Sequence, residues 1–192
     1  LHNDNIITIS DEIYELINFT PKHASLASIP GMMDRVVTVN GVSKGFAMTG
    51  WRLGYIGAPK WIASASNKIQ GQITSAPCSI AQAAAAAAVN ADPSIANEML
   101  EAFLRRRDQM LADLDGIPGV KLNKPMGAFY LFPDISGLFG KSYNGKTLSN
   151  SDDVAMFLIE EAHVATVSGS AFGTPECIRL SYAAADEVLA EA

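Results

Sequence analysis

The stretch Asn40-Gly41-Val42-Ser43-Lys44-Gly45-Phe46-Ala47-Met48-Thr49-Gly50-Trp51-Arg52-Leu53-Gly54-Tyr55 places an amine and a guanidinium in one short segment punctuated by glycines. A lysine amine forms a Schiff base with an aldehyde only after losing its proton, and a fixed positive neighbour and partial burial both favour that loss. A guanidinium stays charged, and its planar fork holds a phosphate through two parallel hydrogen bonds. Lys44 and Arg52 together therefore suit an aldehyde that carries a phosphate. The plain alternative is a surface lysine and a surface arginine flanking an apolar strand, the ordinary fate of an arbitrary pair.

Upstream, Asn5-Ile6-Ile7-Thr8-Ile9-Ser10 is a β-branched run that reads as a buried strand over Ile6 to Ser10, with Asp11-Glu12-Ile13-Tyr14 at its carboxyl end. In open α/β sheets ligands bind at that end. Asp11 and Tyr14 are three apart, so a helical turn starting there points both to one side. Taken alone, Asp11 reads as a helix N-cap and Tyr14 as a half-buried aromatic. Near the other end, Ser168-Gly169-Ser170-Ala171-Phe172-Gly173 precedes Cys177-Ile178-Arg179-Leu180-Ser181-Tyr182-Ala183, a glycine-flanked loop followed by a strand with one arginine. By itself Arg179 reads as a strand arginine paired with a surface acid.

The run from Asn40 to Tyr55 resembles the lysine signature of class I aminotransferases, the pyridoxal-phosphate enzymes of the aspartate aminotransferase family. Asp-x-x-Tyr at a strand end some thirty residues earlier, and Arg179 later, extend the resemblance over most of the chain as a C-terminal half. It implies an α/β fold: the C-terminal part of the fold type I large domain (1–91), then a connecting helix and an α+β small domain (92–192). It also implies the cofactor pyridoxal 5'-phosphate and roles for individual residues. Lys44 would carry the Schiff base and act as proton carrier. Arg52 and Ser43 would hold the phosphate, Asp11 would pair with the pyridine nitrogen, and Tyr14 would donate to the phenolic oxygen. Arg179 would clamp the substrate's α-carboxylate. Gly41 departs from relatives that have a second phosphate-binding serine there.

The implied reaction moves an amino group between an aspartate-like amino acid and a 2-oxo acid in a homodimer. Met48 to Arg52 and the loop Gly169 to Gly173 look most like the bacterial aspartate/prephenate branch. Two other readings stay open: a carbon–sulfur lyase or cyclopropane-forming synthase on the same scaffold, and a module that senses the cofactor without turnover. No basic helix-turn-helix candidate supports the latter.

Composition sets outer bounds. The 192 residues, 48% of them hydrophobic, can bury a substantial core, and a net charge of −6 argues against general affinity for nucleic acid or anionic membrane. Cys78 and Cys177 lack metal-ligand spacing and read as free thiols of a reducing compartment. His2, His23 and His163 are scattered, so no metal site is expected. No uninterrupted apolar run reaches membrane-span length and no signal peptide opens the chain, so the cytoplasm is the expected compartment. Leu1 is not an initiator methionine and a strand candidate follows within a few residues, as if the chain began in mid-fold. By the resemblance, a preceding segment would supply an aromatic for the cofactor ring and a helix N-terminus for the phosphate. This stretch alone is expected to be inactive.

Further strands are expected at Val36 to Asn40, Leu53 to Gly57, Val120 to Leu122, Ala128 to Phe132, Val164 to Val167 and Ile178 to Tyr182. Helices are expected from Pro59 to about Gly71, through Ala83 to Ala88, from Asp92-Pro93 to about Leu114, from Ser151 to Ala162, and from Asp186 on. The six-alanine run reads as a buried, close-packed helix. Glu98, Glu101, Arg105, Arg106, Arg107 and Asp108 read as a solvated charged face. Ser151-Asp152-Asp153 reads as a helix cap, and Gly137 to Lys146 as a loop.

Overall fold

The computed structural model describes residues 6–192, and the chain forms two compact units, Leu1–Leu100 and Glu101–Ala192. His2 and Asn5 lie outside the described residues.

In the first unit the strands are β1 (Thr8–Asp11), β2 (Val36–Gly41) and β3 (Gly54–Gly57), in sheet order β1-β2-β3. β1 runs parallel to β2, from Thr8↔Val36 to Asp11↔Val39, and β2 pairs antiparallel with β3, from Thr38↔Gly57 to Gly41↔Gly54. The central strand is the most buried, with Val36 and Val37 at 2% and 7% exposure, as β-branched residues on a covered strand require. The expected first strand starts two residues later and ends one later: Ile6 and Ile7 precede it, and Asp11 is its last member. The crossover from β1 to β2 is built from turns and two short 3-10 segments, Leu26–Ser28 and Met33–Arg35.

Helix α1 (Lys60–Ile73) follows Pro59, whose carbonyl accepts from Ile62 and Ala63 N–H, and helix α2 is Ser79–Val89. The alanine run is not buried all round. Ala81 and Ala85, four apart and so on one face, are buried, while Ala83, Ala86 and Ala87 are exposed. Its composition gives helix propensity without deciding which face is covered.

After a short 3-10 turn at Pro93–Ala96, helix α3 spans Asn97–Leu114. The second unit continues with β4 (Tyr130–Leu131), β5 (Ser142–Tyr143), β6 (Lys146–Thr147), α4 (Ser151–Glu161), β7 (Val167–Ser168), β8 (Ile178–Ser181) and α5 (Asp186–Glu191). β8 lies between β4 and β7, antiparallel to both, and β5–β6 is a hairpin inside the stretch expected to be a loop. Val120 to Leu122 contributes only a bridge from Lys121 to Asp134. Ile135, Val154 and Ile178 form the core, with Leu138, Leu148, Leu158 and Leu180 packed around them.

Two local expectations are corrected. The cap of α4 is Asn150, whose side chain accepts from Asp153 N–H at 2.9 Å, whereas Ser151 is fully buried. The arginine run of α3 is not a uniformly solvated face. Arg105 and Arg106 both bind Asp186 of α5, at 2.6 and 2.5 Å, but Arg107 is 4% exposed and donates to Asp108 and to the Pro125 carbonyl. Three consecutive helical residues sweep most of a turn, so one of them must face inward.

Candidate active site

The register of the first sheet collects the polar residues at one end. β1 and β2 are parallel, so Asp11, last in β1, ends on the same side as Ser43 and Lys44, which follow β2. β3 runs the other way and begins opposite Gly41, which brings the residues just before it, including Arg52, to that end as well. Tyr14 lies in the turn leaving β1, where Glu15 N–H bonds the Glu12 carbonyl and Ile17 N–H bonds the Tyr14 carbonyl. Asp11, Tyr14, Ser43, Lys44 and Arg52 thus share the carboxyl edge of the parallel pair, where α/β sheets bind ligands.

Backbone constraints fix this edge. A Cβ built on Gly41 would lie 3.0 Å from Gly54 Cα and 3.0 Å from the Leu53 carbonyl oxygen, tighter than a strand pair tolerates without shifting. The glycine at 41 thus sits where β2 and β3 approach closely. Ala47 and Arg52 hold left-handed φ values of +52° and +53°, which cost non-glycine residues on the order of 1 kcal/mol or more. At Arg52 that conformation ends the Thr49–Trp51 turn, and the guanidinium donates to the Thr49 carbonyl at 3.0 Å while staying exposed. Lys44 and Ser43 are half-buried.

Asp11 is exposed and accepts from Ile13 N–H at 3.2 Å, and no cation among the described residues neutralises it. Its neighbour Glu12 points the other way, as strand alternation requires, and is 6% exposed. Glu12 accepts from Ser10 Oγ at 3.0 Å, from Ser25 Oγ at 2.9 Å and from His23 Nε2 at 2.9 Å. Burial pushes its pKa up, but the hydrogen bonds from His23, Ser25 and Ser10 outweigh burial and hold it below the usual 4.5. Beyond it, buried Asn40 donates to Glu15 Oε1 at 2.7 Å and accepts from Gly41 N–H at 2.7 Å. Tyr55, opposite Asn40 on β3, has its phenol pushed up by burial and by the Glu15 charge.

In the second unit Arg179 lies on β8, half-buried. Its guanidinium carbon sits 4.5 Å from the Tyr130 ring centre and 4.7 Å from that of Phe172. No carboxylate of that unit, among the described residues, pairs with it, contrary to the reading of a strand arginine bound to a surface acid.

The family of aminotransferases of class I and II matches residues 1–192. The chain belongs to that family. The chain is 50% identical over 184 residues to a bifunctional aspartate aminotransferase and glutamate/aspartate-prephenate aminotransferase of Petunia hybrida, covering 93% of the chain and 38% of that protein. It is 41% identical over 199 residues to an aspartate aminotransferase of Rhizobium meliloti strain 1021, covering 100% of the chain and 48% of the relative. Among solved structures, a Rhizobium meliloti aspartate aminotransferase superposes with a TM-score of 0.90 at 42% identity, covering 95% of this chain and 46% of that one. An aromatic aminotransferase from Pyrococcus horikoshii gives 0.85 at 41% identity, with 96% and 48% covered. The chain spans less than half the length of these relatives. They are fold type I enzymes, and the chain carries part of that α/β fold. All are named as aminotransferases, so the lyase, synthase and cofactor-sensing readings are not favoured.

Enzymes of this family depend on pyridoxal phosphate, and the chain presents a donor set that fits it. A permanently charged guanidinium and a hydroxyl suit the phosphate, an amine the aldehyde, an unneutralised carboxylate the ring nitrogen and a phenol the ring oxygen. Among the described residues no group of histidines, cysteines and carboxylates could hold a metal. No helix there is long and apolar enough to cross a membrane. Cys78 and Cys177 are free thiols. Sequence reasoning missed Glu12, Asn40, Tyr130 and Phe172. Glu12 was legible as the second of two adjacent carboxylates at a strand end, one of which must turn inward. Phe172 lay in the quoted loop before the arginine strand.

Proposed function

We propose that this chain takes part in amino-group transfer between an aspartate-like amino acid and a 2-oxo acid, with pyridoxal phosphate held at the carboxyl edge of β1 and β2. The gathering of Asp11, Tyr14, Ser43, Lys44 and Arg52 at one sheet end, in a member of this family, carries the reading. The bound cofactor supplies an electron sink that lets a proton leave the substrate's α-carbon.

The chain's own residues do the rest. Arg52 and Ser43 hold the phosphate, the guanidinium by its fork and the serine by its hydroxyl. The Asp11 carboxylate keeps a proton on the ring nitrogen, and the Tyr14 phenol donates to the ring oxygen. Lys44 Nζ would take the proton from the α-carbon and deliver it to the carbon that the cofactor's aldehyde supplies, acting first as base and then as acid. Arg179 holds the α-carboxylate. In this reading residues 1–91 form the cofactor-binding part and 92–192 the connecting helix and small domain, in a homodimer working in the cytoplasm.

The test is oxaloacetate release from L-aspartate and 2-oxoglutarate by a chimera that completes this chain with the rest of the Rhizobium meliloti relative. Turnover that Lys44→Ala abolishes supports the reading. Turnover that survives in Lys44→Ala refutes it.

A further inference from the structure

Phe172 is 47% exposed, yet nothing about its surroundings is loose. It ends a short 3-10 turn, Gly169–Phe172, that is tied on several sides. Gly169 N–H bonds the Cys177 carbonyl at 2.8 Å, Thr174 N–H bonds the Gly169 carbonyl at 3.0 Å, and a Cβ on Gly169 would collide with the carbonyl oxygens of Thr174 and Cys177. Ser168 Oγ accepts from Ser170 N–H and meets the fully buried Ser151 Oγ at 2.9 Å, joining the turn to the start of α4. Gly173 closes it in the left-handed region at φ +73°. Phe132 supports the Phe172 ring edge-on, with centroids 5.8 Å apart at 87°.

A large apolar ring held this firmly in partial contact with water gains little from burial. What it does touch is a cation, because the Arg179 guanidinium carbon lies over it and over Tyr130, whose own ring rests 4.7 Å from that of Phe129. Aromatic faces attract a guanidinium and also limit its rotamers. With two rings packed against the guanidinium, its N–H groups remain the part that offers hydrogen bonds to an acceptor. The missing acid partner in the same unit fits a cation held for a ligand.

We propose that Phe172 and Tyr130 are positioning residues whose rings hold the Arg179 guanidinium, so that its N–H groups are preorganised for an incoming carboxylate. This rests on the reading of Arg179 as the α-carboxylate site. Holding the arginine in advance removes the ordering cost from binding.

The experiment follows the Arg179 side-chain Nε–H signal by NMR in the 192-residue chain, titrated with succinate, in the unmodified protein, Phe172→Leu, Tyr130→Leu and Phe172→Tyr. The signal is expected to be displaced upfield by the two rings and to respond to succinate. Each leucine variant should return it toward the open-chain position and weaken succinate binding about two- to five-fold, the size of one cation–π contact at a partly exposed site. Phe172→Tyr should restore both. Succinate binding that persists unchanged in both leucine variants overturns the positioning role while leaving the carboxylate site intact. No response to succinate in the unmodified chain overturns the carboxylate site, and the proposal with it.

Discussion

Glu12 and His23, eleven residues apart, meet at 2.9 Å between Oε2 and Nε2, and Ser25 joins the same carboxylate at 2.9 Å. These contacts close the base of the segment that carries Tyr14 and fasten the end of β1, where Asp11 sits. Glu12→Gln keeps the shape but loses the charge of a buried acceptor, and should cost about 1 to 3 kcal/mol at pH 7, measured by urea denaturation. The hydrogen bonds hold the Glu12 pKa below 4.5, so its contribution is complete above that pH and fades as the pH falls through the lowered folded value. The stability gap between the two proteins should therefore narrow below pH 4.5. A gap that widens there contradicts the assignment.

Gly169→Ala tests the turn beneath Phe172. The added methyl meets two backbone carbonyl oxygens that cannot swing away as a side chain could, so the turn or β8 must move. A loss of about 3 kcal/mol is expected from such overpacking, read as a lower urea midpoint with an unchanged slope. A change under 0.5 kcal/mol would show that the turn is softer than its contacts imply.

The two thiols should react unequally. Cys78 is exposed at the start of α2, where backbone N–H groups of Ala81 and Ile80 hold its pKa below the usual value. Cys177 is buried, and burial, with the Asp134 and Glu176 charges, pushes its thiol up. Iodoacetamide at pH 7 should label Cys78 well before Cys177, as followed by peptide mass spectrometry. Equal rates would contradict this difference.

That Asp11, Tyr14, Lys44 and Arg52 would meet at one sheet end was more legible than the fold that holds them. Lys44 and Arg52 stood out because a closely spaced amine and guanidinium suit a phosphorylated aldehyde, whereas Asp11 and Tyr14, alone an N-cap and a half-buried aromatic, came forward only through the family resemblance. The strands of the second unit were drawn too long, since β4 and β7 have two residues each and their apolar neighbours serve the core from irregular backbone. The β5–β6 hairpin was missed because Ser142-Tyr143 and Lys146-Thr147 are too short for a period, although Asn144-Gly145 between them is a strong turn signal. Arg107 was misjudged because composition alone does not tell which helical position faces inward. The rings over Arg179 come from β4 and from the turn before β8, contacts across long sequence separation that no local pattern encodes.

The central claim is that Lys44 is the amine that meets the cofactor. Incubation with pyridoxal phosphate, borohydride reduction, digestion and peptide mass spectrometry tests it directly, on this chain and on the chimera in parallel. The account expects the reduced pyridoxyl label on Lys44, although Lys22, Lys60 and Lys68 are more exposed. Label spread over those exposed lysines, with Lys44 no richer than the rest in either protein, would contradict it.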